Sequence, residues 1–176
     1  MATAKAGETL TIVGGAEIVV RTPAAETGGQ RVELEFTLPP GSSGPPAHVH
    51  PEQEEEWHVL AGTFSVYLDG EWRDVEAGQS VSIPRGRAHT FRNSSGGSVR
   101  VRDVHVPALD FQDYMESLDR LTRSGKVKSL RSPSSLVYLS MVLRDQRPDQ
   151  ISASPVQRAA ESALAFVGRL LRFRTP

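Results

Sequence analysis

The chain has 176 residues, a net charge of −1 and no cysteine. Its 38% hydrophobic and 23% charged content is that of an ordinary soluble globular protein, long enough for one domain with a sizeable core and a terminal extension. No apolar run approaches the ~20 residues of a membrane span. The N-terminal MATAKAGETLTIVGG lacks the basic start and apolar core of a signal peptide, and the absence of cysteine excludes disulfides and thiolate chemistry, which suits a reducing cytoplasm.

Charge divides the chain in two. Residues 1–107 carry 9 Lys/Arg against 14 Asp/Glu, and residues 108–176 carry 11 against 7. Neither part has the basic stripe with interleaved aromatics of a nucleic-acid binder, so no nucleic-acid partner is expected.

From residue 9 to about 106 the pattern is short β-runs. ETLTIVG, AEIVVR and RVELEFTL alternate apolar and polar residues with the period of two of half-buried strands. PPGSSGPPA (39–47) is a Pro/Gly/Ser loop. EEWHVLAG, TFSVYLDG, EWRDV, SVSIP, AHTFRN and SVRVRDVHV follow, with Asp69-Gly70 as a hairpin signal. Eight or more strands with no helix between them predict a closed barrel or a two-sheet jelly roll.

After Pro107 the period changes. LDFQDYMESLDRLTRSG spaces apolar residues by three and four and ends at Gly125 as a C-cap. SPSSLVYLSMVLRDQRP predicts a second helix that stops before Pro148. In SPVQRAAESALAFVGRLLRF, Ser154 is placed to cap and Pro155 to occupy the first helical position. This last segment sets Val156, Ala159, Ala163, Phe166, Val167, Leu170 and Leu171 beside Arg158, Arg169, Arg172 and Arg174. Such a helix can bind an anionic membrane, but packing on the barrel or across a dimer is the expectation.

The stretch AHVHPEQEEEWHVLAG (47–62) carries the chemistry. His48 and His50 lie two apart, so in extended chain both imidazoles leave one face. Glu55 follows across a turn, and His89 opens the alternation in SIPRGRAHTFRN. If the fold brings these strands together, three imidazoles and a carboxylate converge, a donor set suited to divalent Fe, Mn, Co, Ni, Cu or Zn rather than calcium or magnesium. Glu52, Glu54 and Glu56 read as solvated charge and His58 as exposed. Trp57, Val59 and Phe91 share the phase of the candidate ligands, which makes Trp57 and Phe91 pocket candidates. His105 and Asp103 lie in phase with Val99 and Val101 in the last strand; an inward phase makes them candidates for supporting or acid–base groups.

These residues resemble the cupin family. Its first motif reads Gly, five residues, His-x-His, three or four residues, Glu, six residues, Gly, and here His48, His50, Glu55 and Gly62 keep that spacing. The second motif, Gly, five, Pro-x-Gly, two, His, three, Asn, is met by Gly78, Pro84, Gly86, His89 and Asn93. The departure is upstream, where Ser42 stands at the family glycine, between Gly41 and Gly44.

The resemblance covers roughly residues 30–107. It implies a mainly β fold, a jelly-roll double-stranded β-barrel over residues 1–107, with residues 108–176 a C-terminal α-helical extension on the barrel or on a dimer partner. It also implies one divalent transition metal ion per chain on His48, His50, Glu55 and His89. The function expected is a mononuclear metal enzyme, dioxygenase-like or of the isomerase or cyclase type, acting on a small organic molecule in the barrel. The alternative is a non-catalytic binding protein that interacts through its helices. A cytoplasmic homodimer that does not engage membranes is expected.

Overall fold

A computed structural model describes residues 3–129, 132–145 and 150–175. The segments that alternate in sequence form β1 (Thr9–Ile12), β2 (Ala16–Thr22), β3 (Val32–Leu38), β4 (His48–Val49), β5 (Glu54–Ala61), β6 (Thr63–Leu68), β7 (Glu71–Glu76), β8 (Ser80–Ile83), β9 (His89–Arg92) and β10 (Val99–Val106). They are followed by α1 (Phe111–Arg123), α2 (Pro133–Asp145), β11 (Ile151–Ser152) and α3 (Pro155–Leu170). The expected end of the second helix at Pro148 lies outside the described residues.

One sheet has the order β1-β2-β3-β10-β5-β8 and the other β11-β4-β9-β6-β7. The two face each other as a jelly-roll sandwich rather than closing into one continuous barrel. Turn chemistry sets the register where it is most visible. Asp69 and Gly70 both take positive φ, 57° and 92°, between β6 and β7, as a two-residue hairpin turn requires.

The interior between the sheets is not uniform. Trp57, Val59, Phe64, Val66, Ile83, Val99 and Val101 pack into one apolar cluster. A second cluster joins Ile18, Val20, Val32 and Leu34 to Phe111, Met115 and Leu118 of α1. The first helix is also fixed by polar groups. Gln112, Glu116 and Asp119 are buried, and Ala4 and Thr11 donate their backbone N–H groups to Glu116 Oε1 at 2.8 Å and Asp119 Oδ1 at 2.6 Å. The bond to Thr11 satisfies a donor on the edge strand β1, which would otherwise be open to pairing with another chain.

The cap of α3 is as expected: Ser154 precedes Pro155 and accepts from the Gln157 N–H. α1 ends one residue earlier than expected, with Ser124 at the cap and Gly125 behind it in the left-handed conformation, φ 70°.

The apolar face of α3 is divided between helix contact and exposure. Ala165 is buried and Gly168 fits against Met141 and Val137 of α2, where an added Cβ would meet the Met141 sulfur at 2.5 Å. Val156, Phe166, Leu170 and Leu171 instead lie 63–79% exposed. Ala165 and Gly168, with Leu164 beside them, make the helix contact, and the close approach of the two backbones leaves no room for a side chain at Gly168. No described helix is long and apolar enough to cross a membrane.

Candidate metal centre

Strand register assembles the site. β4 and β9 pair through His48 opposite His89, so their side chains share one face of the five-stranded sheet, with ring centroids 4.3 Å apart. His50 follows β4, and its carbonyl accepts the Gly86 N–H at 2.9 Å, which joins the two motif segments. Its ring lies 5.0 Å from that of His48 and 5.2 Å from that of His89. From the other sheet, β5 and β10 set Glu55 opposite His105, and Asp103 follows on the same inward face. All six side chains are buried.

Donor atoms of His48, His50 and His89 lie within 4.8 Å of one another, and those of His50, Glu55 and His105 do likewise. Hydrogen bonds separate the two sets. His48 Nδ1 and His89 Nδ1 face the carbonyls of Pro46 at 3.2 Å and Arg87 at 2.9 Å. Donating there fixes the tautomer and leaves each Nε2 a lone pair, the arrangement of a metal-binding imidazole. Glu55 Oε2 and His89 Nε2 are 2.8 Å apart across the sheets, yet buried without hydrogen-bond geometry. Two facing acceptors of this kind attract one positive charge, a proton or a metal cation.

His105 is engaged differently. Its Nε2 reaches Asp103 Oδ2 at 3.2 Å and Glu55 Oε1 at 3.4 Å. It therefore orients one oxygen of Glu55 and leaves the other facing the three imidazoles. The residues present fit a divalent cation held by His48, His50, Glu55 and His89, with His105 and Asp103 behind the carboxylate.

Burial would lower His89, but the facing Glu55 carboxylate outweighs it and raises it, which marks this pair as the place where positive charge is favoured. Burial lowers His48 well below the usual imidazole range, and the neighbouring His89 and His50 add to the effect, so its ring is neutral. Burial would raise Glu55, but His105 and His89 hold it well below the ordinary carboxylate range. Burial would lower His105, but Asp103 and Glu55 outweigh it and raise it. Burial raises Asp103.

Other expected residues fall in different places. Phe91 lines the cavity above the site. Trp57 does not. It is packed edge-on against Phe64, Phe91 and His89 at 5.2–5.6 Å, in the closed part of the interior, where the remaining void is only about 10 Å³. Strand phase gives the face on which a side chain lies but not its depth along the barrel. Glu52, Glu54 and Glu56 are exposed, and His58, partly exposed, faces Ser80 Oγ at 2.7 Å, away from the cluster. Asn93 donates to the carbonyls of Leu38, Pro39 and Gly97, so this motif residue ties loops together and binds nothing in the site.

Two residues escaped the sequence reading. Phe111, the first residue of α1, stacks on His105 with centroids 3.6 Å apart and rings 24° from parallel. It had been visible only as one member of a helical apolar stripe. Gln53, within the acidic run, donates to the carbonyls of Pro107 at 3.0 Å and Ala108 at 2.8 Å, so the loop before Glu55 is tied to the segment that carries Phe111.

Above the cluster a cavity of about 1050 Å³ opens between the sheets and the helices. His48, His50, Glu55 and Asp103 contribute to its lining, and Phe36, Phe91, Phe111, Leu118, Leu139 and Leu164 give it a mostly apolar surface. Binding sites for small molecules combine such walls with a few placed polar groups.

A two-sheet jelly roll with inward-facing imidazoles and a carboxylate defines a protein of the double-stranded β-helix class with a candidate metal site at the mouth of the sandwich. Residues 34–106 match the Cupin_2 model, described as a cupin domain. It is 42% identical over 57 residues to Protein SchB of Streptomyces halstedii, covering 32% of this chain and 40% of that one. It is 39% identical over 54 residues to polyketide synthase CurC of Streptomyces cyaneus, covering 31% and 35%. The chain spans between 20% and 54% of the length of the curated relatives it matches. The structure of KdgF from Halomonas sp. aligns with a TM-score of 0.53 at 19% identity over 59% of this chain and 89% of that one, a likeness of fold.

Proposed function

We propose that the chain is a mononuclear metal enzyme that acts by proton transfer, in an isomerisation or cyclisation, on a mostly apolar organic molecule held in the cavity. The observation that carries this reading is the placement of Asp103, which lines the cavity next to the candidate ligands and whose Oδ1 is buried without a hydrogen-bond partner. A divalent cation held by His48, His50, Glu55 and His89 would supply Lewis-acid polarisation of a substrate oxygen.

The chain's own groups do the rest. Asp103, raised by burial, exchanges a proton with substrate at Oδ1, while its Oδ2 stays on His105. A carboxyl group shifted toward neutrality is suited to both taking up and returning a proton. Phe111 and the apolar faces of α1 and α2 exclude water and orient a hydrophobic body over the site. The similarity to CurC, a polyketide synthase, supports a carbon skeleton rich in carbonyl groups as the kind of substrate.

The test incubates protein loaded with Mn(II), Fe(II) or Zn(II) with a panel of enolisable aryl ketones in D₂O, with NMR for deuterium at the α-carbon and an oxygen electrode in parallel. Metal-dependent exchange that is lost in Asp103→Asn, at a metal concentration that saturates both proteins, is the expected result. Oxygen uptake with no exchange assigns the site to oxygenation instead. Neither activity, with metal bound, assigns the chain to the non-catalytic binding class.

A further inference from the structure

The part of the chain beyond the matched cupin region contributes its own wall to the cavity. β11 pairs with β4, setting Ser152 directly opposite His48, and the Ala153 N–H donates to the Ala47 carbonyl at 2.9 Å. The strand that carries His48 and leads into His50 is therefore also the strand to which the helical extension is docked. From this contact a short polar chain runs into the cavity. Ser152 Oγ donates to Glu161 Oε1 of α3, and Gln157 Nε2 donates to the same oxygen at 2.9 Å. Tyr114, from α1, lines the cavity with Gln157 and Glu161.

One oxygen of Glu161 is thus held by two donors. Its other oxygen and the Tyr114 hydroxyl have no hydrogen-bond partner among the described residues. Burial and the nearby Glu161 carboxylate push the Tyr114 phenol up to about 12, so it keeps its proton and can donate it in a hydrogen bond. A carboxylate accepts only and a phenol donates readily, so the group complementary to both is one that donates and accepts at once. A hydroxyl does so. A carboxylate in the ligand would face repulsion from Glu161, and a purely apolar ligand would leave both groups unpaired in the cavity, at a cost in binding.

We propose that Tyr114 and Glu161 form a recognition subsite for a hydroxyl group of the ligand, which donates to Glu161 Oε2 and accepts from the Tyr114 phenol. The ligand is then a mostly apolar molecule with a metal-binding oxygen at one position and a hydroxyl at another. The inference rests on the metal-bearing cavity of the proposed function and assigns the choice of ligand to the helical extension, while the sandwich supplies the metal.

The probes are 1-hydroxyanthraquinone, which offers a chelating oxygen pair and, besides it, only the second quinone carbonyl and no further hydroxyl, and its 1,3-, 1,6- and 1,7-dihydroxy derivatives. Their binding to the full chain loaded with Zn(II) is measured by calorimetry without oxygen, for the wild type, Glu161→Gln and Tyr114→Phe. At least one dihydroxy isomer is expected to bind the wild type about tenfold or more tighter than the parent, as a hydrogen bond to a charged group allows. Each substitution removes most of that gain, and the parent binds all three proteins alike, which also shows that they are folded. No gain from any isomer, or a gain that survives both substitutions, overturns the subsite while leaving the metal-bearing cavity intact. Parent binding that is indifferent to Zn(II) overturns the metal-bearing cavity and the subsite with it.

Discussion

β5, β9 and β10 each present one inward face, and that face changes character along its length. On β5 it reads Glu55, Trp57, Val59; on β9, His89 then Phe91; on β10, from the other direction, His105, Asp103, Val101, Val99. At one end lie the candidate ligands under a cavity of about 1050 Å³, and at the other an apolar cluster with a void of about 10 Å³. Two residues along a strand, roughly 7 Å, separate a group that could hold a metal from one that only packs. The packed end holds the two sheets at a fixed separation. The open end can therefore keep buried carboxylates and imidazoles in positions that their mutual repulsion and loss of hydration would otherwise oppose.

This contrast predicts different losses at the two ends. The largest belongs to the packed end: Trp57→Ala, at a side chain 2% exposed, lowers unfolding free energy by about 3–5 kcal/mol. Denaturant titration measures the loss, and the protein that remains folded keeps its metal stoichiometry. A cost below about 1 kcal/mol would show that the two ends are not distinct. Next comes Asp103→Asn, which leaves His105 without its acceptor of full charge and loosens the orientation of Glu55. Metal affinity falls about 10- to 100-fold in competition with a chromogenic chelator, the range for partners that orient a ligand, and thermal stability changes much less than in Trp57→Ala. The smallest effect sharpens the boundary of the open end. Leu143→Trp, on the α2 wall of the cavity, weakens binding of 1-hydroxyanthraquinone and leaves metal affinity as in the wild type. Equal losses of both would mean that the cavity and the metal centre are not separable.

Much of this was legible in the sequence, for reasons that also explain the remainder. Strands with a period of two and several residues to display it were all visible, and so was the Asp69-Gly70 turn, where backbone conformation restricts residue choice. His48, His50, Glu55 and His89 stood out because motif spacing reflects strand register. β11 did not, since two residues carry no period, and its pairing with β4 is a contact made across about 100 positions. Trp57 was grouped with Glu55 because they share a phase; the distance that separates their roles lies along the strand, where phase is silent. Phe111 and Glu161 belong to helices whose apolar stripes show that a face is buried without showing what it covers. The outward Phe166 and Leu170 make the same point in reverse, because the stripe they belong to meets α2 through Ala165 and Gly168 instead.

The central claim is that His48, His50, Glu55 and His89 hold one metal ion at the open end. Inductively coupled plasma mass spectrometry of the wild type and His89→Ala, each purified without added metal and then reloaded, tests it directly. The account predicts close to one equivalent of a single transition metal per wild-type chain. For His89→Ala it predicts loss of the metal, or an affinity lower by more than about 100-fold, with the fold retained by circular dichroism. A His89→Ala protein with unchanged stoichiometry and affinity would contradict it.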